Sequence, residues 1–130
     1  MKLTIGATGT AAPDVVWDRY VHPARWPTWS PQITSVDASA STLRTGTTGT
    51  VHGPLGVTVP FTVLDVDDER RSWSWHVTAA GITLTLHHAV RISNEKALSG
   101  SATTLVMDGP APFVLGYAPL ARIALGRLVR

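Results

Sequence analysis

The chain of 130 residues contains no cysteine, which excludes disulfides, thiolate nucleophiles and cysteine-ligated metals. Charged residues make up only 15% against 44% hydrophobic, so an intrinsically disordered chain is excluded too. No apolar run approaches the roughly 20 residues that a membrane span needs. The start, Met1-Lys2-Leu3-Thr4-Ile5, turns polar too soon for a secretory signal. Lysine is nearly missing: Lys2 lies at a terminus and Lys96 in a turn, which leaves no buried Schiff-base lysine. These absences point to a cytoplasmic protein. The net charge of +2 is spread over Arg19, Arg25, Arg44, Arg70, Arg71 and Arg91 before three C-terminal arginines. A nucleic-acid interface calls for a denser basic patch interleaved with aromatics, so no nucleic-acid partner is expected. The excess of arginine over lysine and the wealth of Ala, Gly and Thr suggest a high-GC bacterial genome.

At this length one domain, residues 1–130, with one core is expected. The most ordered pattern lies at the C-terminal end, from Ala111 to Arg130. On a helical projection Phe113, Tyr117, Leu120, Ala124 and Leu128 share one side, flanked by Val114, Ala121 and Leu125. Arg122, Arg127 and Arg130 take the remaining arc with Gly116 and Gly126. This predicts an amphipathic helix. Pro110 and Pro112 suit its start, and Pro119 predicts a kink or a two-part helix.

Upstream, Lys2–Ala11 reads as a strand. Pro13 and Asp14 then open a helix in which Trp17 and Tyr20 share a face, and His22-Pro23 ends it. Ala24–Trp29 forms a second short turn broken by Pro27. Strands follow. Gln32–Ala40 alternates weakly, and Gly46–His52 is followed by a Gly53-Pro54-Leu55-Gly56 turn. Val57, Val59, Phe61 and Val63 alternate with Thr58, Pro60, Thr62 and Leu64, Pro60 arguing for an edge or a bulge. After a charged hairpin over Asp65–Arg71, Trp73, Trp75 and Val77 keep a clean period of two. Ile82, Leu84, Leu86, His88, Val90 and Ile92 share the next strand's face, and Leu105 and Met107 belong to the last strand. The order is one strand, two short helices, about six consecutive strands and a long helix. Consecutive strands with short turns imply an antiparallel meander, an α+β fold of about seven strands with the terminal helix as its cover.

Val16-Trp17-Asp18, Trp26-Pro27-Thr28-Trp29-Ser30-Pro31, Gly53-Pro54-Leu55-Gly56, Trp73-Ser74-Trp75 and Gly109-Pro110 occur in that order. With them the whole chain resembles the polyketide cyclase/dehydrase branch of the START-like (SRPBCC) superfamily. The resemblance implies a helix-grip (START-like, Bet v 1-like) fold, in which a curved antiparallel sheet wraps the long C-terminal helix around a deep hydrophobic cavity. It also implies a lipid, sterol, polyketide, quinone or hormone as cargo, and in some members cyclase, aromatase or hydrolase activity. The final helix ends soon after Arg127, short for such a protein, so the cavity is expected to be more open at one end.

On that fold His88 is the candidate of most interest, the lone polar side chain on an apolar strand face. It suits a ligand hydrogen bond or, more weakly, general acid–base catalysis; the plainer alternative is a histidine satisfied by a neighbouring group or water. Trp29, Phe61, Trp75, Met107, Phe113 and Tyr117 are the expected cavity wall, Tyr117 adding a hydroxyl. His87 and His88 point to opposite faces, and His22, His52 and His76 lie on separate elements, so no metal or other cofactor is expected. Asp14, Asp18, Asp65, Asp67, Asp68, Glu69 and Glu95 stand away from the cavity, with Asp108 alone near a strand end. The expected function is binding of a small hydrophobic or aromatic metabolite. The alternatives are a polyketide cyclase or aromatase-like enzyme using the same cavity, and a protein-interaction module. A homodimer stays open.

Overall fold

The computed structural model describes residues 1–96 and 98–130. Strand β1 (Lys2–Gly9) leads into helix α1 (Pro13–Val21), a 3-10 turn at Pro23–Arg25, and the single helical turn α2 (Trp26–Trp29). Strands β2 (Ser35–Ala38), β3 (Thr48–His52), β4 (Thr58–Asp67), β5 (Ser72–Ala79), β6 (Ile82–Ser93) and β7 (Gly100–Asp108) follow, and helix α3 (Ala111–Leu128) closes the chain. All strand pairs are antiparallel, in the order β1-β7-β6-β5-β4-β3-β2. The meander from β2 to β7 is thus completed by the first strand lying beside the last.

Local chemistry accounts for the punctuation. Pro13 occupies the first turn of α1, where its missing N–H costs nothing, and Asp14 sits at the positive end of the helix. Ala80 and Gly81, both at positive φ, form the two-residue hairpin between β5 and β6 whose twist matches the flanking strands. Pro60 pairs with Thr50 of β3, while pairing with β5 begins one residue later at Phe61. The proline therefore occupies a locally unpaired edge, and the bulge of this strand falls between Val63 and Asp65.

Expectations are corrected at two elements, α3 and β6. Helix α3 runs as a single element through Pro119, so of the kink or two-part helix expected there the two-part form does not occur. Its buried arc is Val114, Ala118, Ala121, Ala124, Leu125 and Leu128, while Phe113 and Leu120 are 45% and 42% exposed. The burial is rotated from the expected stripe because α3 packs chiefly on β1, and the sheet's concave face is already occupied by tryptophans. Alanines let the helix backbone come close where larger residues would collide. Ile92 is the second correction: it is 63% exposed although it shares a strand face with Leu86, His88 and Val90. Strand β5 begins opposite Ala89, so beyond it β6 has only β7 as a neighbour and Ile92 lacks flanking cover.

The ends of the chain meet tightly. A Cβ at Gly9 would lie 2.1 Å from the Val129 carbonyl oxygen, which accepts the Ala11 amide at 3.0 Å. The Arg19 guanidinium of α1 donates to the carbonyls of Leu128 and Arg130 at 2.6 and 2.8 Å, so a cation caps the C-terminal end of α3. Helix α1 thereby holds α3 against β1.

Candidate functional site

The concave face centres on a cluster of aromatic rings. Trp73 and Trp75 project from β5 with the period of two that the sequence predicts, 1% and 8% exposed. Trp26, raised by the short helical turns before β2, stacks on Trp73 at 5.7 Å and reaches Trp75 at 5.1 Å. Trp73 lies almost parallel to the His88 ring, 4.7 Å away at 10°, because the two residues oppose each other in the β5–β6 register. Tyr20 of α1 meets Trp29, Trp73 and His88 edge-on.

Within this cluster His88 is 5% exposed and both its ring nitrogens are engaged. The Trp75 indole N–H donates to Nε2 at 3.0 Å. An indole nitrogen can only donate, so Nε2 carries the lone pair and Nδ1 the proton. Nδ1–H then donates to the Tyr20 hydroxyl at 3.1 Å. With that acceptance fixed, Tyr20 O–H donates to Thr103 Oγ1 at 2.7 Å, and Thr103 donates to the Ala89 carbonyl at 3.1 Å. The result is a one-way chain across α1, β5, β6 and β7. Burial lowers the His88 pKa to about 3, with repulsion from His87 as the smaller cause. Burial likewise raises the Tyr20 phenol well above its ordinary range, the Thr103 hydrogen bond opposing in part. Neutral groups in a low-dielectric interior, each with a partner, make a rigid polar brace.

Between this brace and α3 lies a cleft with about 410 Å³ of unfilled space including its mouth. Inside it, room for the centre of a water-sized sphere is only about 30 Å³, enough for about two waters. Of the expected wall residues, Trp29, Trp75, His88 and Tyr117 line the cleft. Phe61 and Met107 are buried, 3% and 0% exposed, but lie outside that lining. Phe113 stands on the outer face of α3. The lining also includes Trp26, Trp73 and Ser30, with Ala121 and Ala124 of α3. Trp73 was legible from its parity with Trp75, and Ala121 and Ala124 from the apolar side of the helical projection. Tyr117 accepts a hydrogen bond from the Gln32 amide at 2.8 Å, and burial raises its pKa. Among the described residues no three His, Asp or Glu side chains gather where a metal ion would be held. His22 and His52 instead bond to the Asp18 carbonyl and the Asp37 carboxylate, at 2.8 and 2.7 Å.

The architecture is thus a sheet wrapped on a C-terminal helix around an aromatic cleft. The family model described as polyketide cyclase / dehydrase and lipid transport matches residues 2–130. The chain belongs to this family. The polyketide cyclase/dehydrase family is of the START-like (SRPBCC) type, and the curved seven-stranded sheet with its long terminal helix is the helix-grip fold. No curated protein matches the chain. Among solved structures, the protein XoxI from Bacillus cereus superposes with a TM-score of 0.82 at 15% identity, over 98% of this chain and 92% of that one. An uncharacterised protein from Bacillus thuringiensis gives 0.82 at 14% identity, over 99% and 96% of the two chains. A protein from Nitrosospira multiformis gives 0.81 at 13%, over 99% and 94%. At such identities these neighbours speak to the fold. Among the described residues no helix is long and apolar enough to cross a membrane.

Proposed function

We propose that the protein binds a small hydrophobic or aromatic metabolite in the cleft between the concave face of the sheet and α3. The observation that carries this reading is the unfilled space between the indole wall of Trp29 and Trp75 and the small-residue face of α3 at Ala121 and Ala124. A flat apolar guest gains stacking area on one side and meets no bulky side chain on the other. A guest larger than water has to move side chains of the lining, among them Tyr117, which is held by its hydrogen bond from Gln32. Binding is favoured over cyclase or aromatase-like chemistry by the state of the titratable side chains in the lining. His88 is held neutral with both nitrogens engaged, and Tyr117 has its pKa raised, so neither is poised to move protons near neutral pH.

The test is calorimetric or fluorescence titration with 2-ethylnaphthalene, an uncharged aromatic probe, against the natural protein and Ala121→Phe. The added ring occupies the cleft, and affinity is expected to fall about ten-fold or more. Equal affinity in the two proteins places the probe elsewhere and removes the cleft as its site.

A second reading, a protein-interaction module, is favoured by the outer face of α3. Phe113, Leu115, Leu120 and Ile123 are 42–53% exposed along it, and the first three turns of the helix carry no charge. A helix apolar on most sides is ordinarily covered on most sides. A second copy of the chain is the simplest occupant. If so, sedimentation equilibrium finds a dimer that Leu120→Ser with Ile123→Ser dissociates. A monomer at every concentration sets this reading aside.

A further inference from the structure

Resting on the ligand-binding reading, we propose that the cleft selects uncharged guests that carry a hydrogen-bond acceptor, such as a ketone, ester or quinone carbonyl, and that the Trp73 indole N–H is the group that receives it.

The five tryptophans set up the contrast. Trp17 donates to Asp68 at 3.1 Å, Trp26 to the Tyr20 carbonyl at 2.8 Å, Trp29 to the Arg19 carbonyl at 3.3 Å and Trp75 to His88 at 3.0 Å. Trp73 Nε1 is fully buried and has no partner among the described residues. Native interiors leave very few buried donors unpaired, and each one carries its full desolvation cost. The Trp73 side chain is also one that lines the cleft, with its Nε1 just beneath the cleft surface, where a guest reaches it as the lining shifts.

Its ring neighbours do not relieve it. The Nε2 lone pair of the stacked His88 ring already accepts from Trp75, and the Tyr20 oxygen accepts from His88 Nδ1. The other rings around it, Trp26 and Trp75, offer no acceptor atom. An acceptor brought in by a guest is what the position lacks. The remaining unpartnered buried atom, Gln32 Oε1, belongs to an amide that bonds Tyr117 and is outside the cleft lining.

The charge of the guest follows from the same lining. It contains no carboxylate to pair with an ammonium group and no arginine or lysine to pair with an acid. Protonation of His88 would set a second N–H against the Trp75 donor, so the ring does not supply a cation either. A neutral molecule with a carbonyl thus matches the site, while charged groups would be buried unpaired. His88 acts through the brace: it holds Trp75 and stacks on Trp73 with no free lone pair for the guest.

The test compares 2-acetylnaphthalene with 2-ethylnaphthalene, which is similar in size but lacks the acceptor. The natural protein is expected to bind the ketone about ten-fold more tightly. In nitrogen-15 spectra one indole N–H resonance is expected to move downfield with the ketone and not with the hydrocarbon. Trp73→Phe should abolish that resonance and bring the two affinities together, chiefly by weakening the ketone. Should the variant fail to fold, the resonance is assigned in the natural protein through its contacts to the His88 ring. Equal affinities in the natural protein, a preference that survives Trp73→Phe, or a shift at another indole each overturn the proposal while leaving ligand binding in place. Failure of both probes to bind overturns the ligand-binding reading together with this one.

Discussion

Trp26→Ala is expected to destabilise the protein by about 3–5 kcal/mol, the usual cost of truncating a large buried aromatic. Against a total stability of about 5–15 kcal/mol for a domain of this size, that approaches half of what holds the fold together. Trp26 is 1% exposed and contacts three other aromatic rings, those of Phe61, Trp73 and Trp75. It also donates its indole proton to the Tyr20 carbonyl, the last turn of α1, so its loss leaves both a cavity and an unpaired backbone oxygen. The site cannot readily collapse, because two of the three rings stand on β5 and are held by pairing on both sides. Urea denaturation measures the effect through the midpoint at constant slope. A loss under about 1 kcal/mol would mean that Trp26 is a cover over the cleft rather than part of its frame.

The second large effect is a dependence of stability on acid that His88 imposes. Its pKa falls from the ordinary value near 6.5 in the unfolded chain to about 3 in the folded one. Between those values the unfolded state binds the proton and the folded state does not, so stability rises with pH. The contribution is therefore fully present above about pH 6.5 and is lost progressively as the pH falls toward 3, at about 1.4 kcal/mol per pH unit. Structurally, the proton would have to enter at Nε2, where the Trp75 indole already donates, and would break the first link of the chain through Tyr20 and Thr103. Urea midpoints taken between about pH 7.5 and about pH 4 should fall steeply in the natural protein. In His88→Gln, which carries no titrating ring, the curve should start lower and run flatter over the same range. Parallel curves for the two proteins would assign the acid sensitivity to other groups.

Much of the architecture was readable from pattern. The period of two through Trp73, Trp75 and Val77, the turn at Gly53-Pro54-Leu55-Gly56 and the proline-led start of α1 are local signals, and local geometry answers them. Side-chain alternation likewise put Leu86, His88 and Val90 on one buried face. The same rule failed at Ile92, because alternation says which side a residue takes and not where the neighbouring strand begins.

The site was only half readable, and for the same reason. Hydrophobic periodicity and turn chemistry, as properties of neighbouring residues, were enough to expect an antiparallel meander covered by the terminal helix, and the family resemblance implied that it is a helix-grip sheet. The periodicity of α3 named Val114, Ala121, Ala124, Leu125 and Leu128, which are buried, but also Phe113 and Leu120, which are exposed, because large apolar residues lie on both sides of the helix and only the packed sheet chooses between them. The state of His88 lay further still from the sequence. Its partners are Tyr20, 68 residues away, and Trp75, 13 residues away, and Tyr20 in turn meets Thr103 at a separation of 83. Whether a buried polar group faces a guest or is already satisfied depends on which donors and acceptors the fold brings within 3 Å or so. The residues that could be satisfied, and the face they occupy, belong to the sequence. That His88 is paired while the Trp73 N–H is left without a partner was decided by the tertiary structure, because hydrogen-bond partners are assigned by proximity in space and not along the chain.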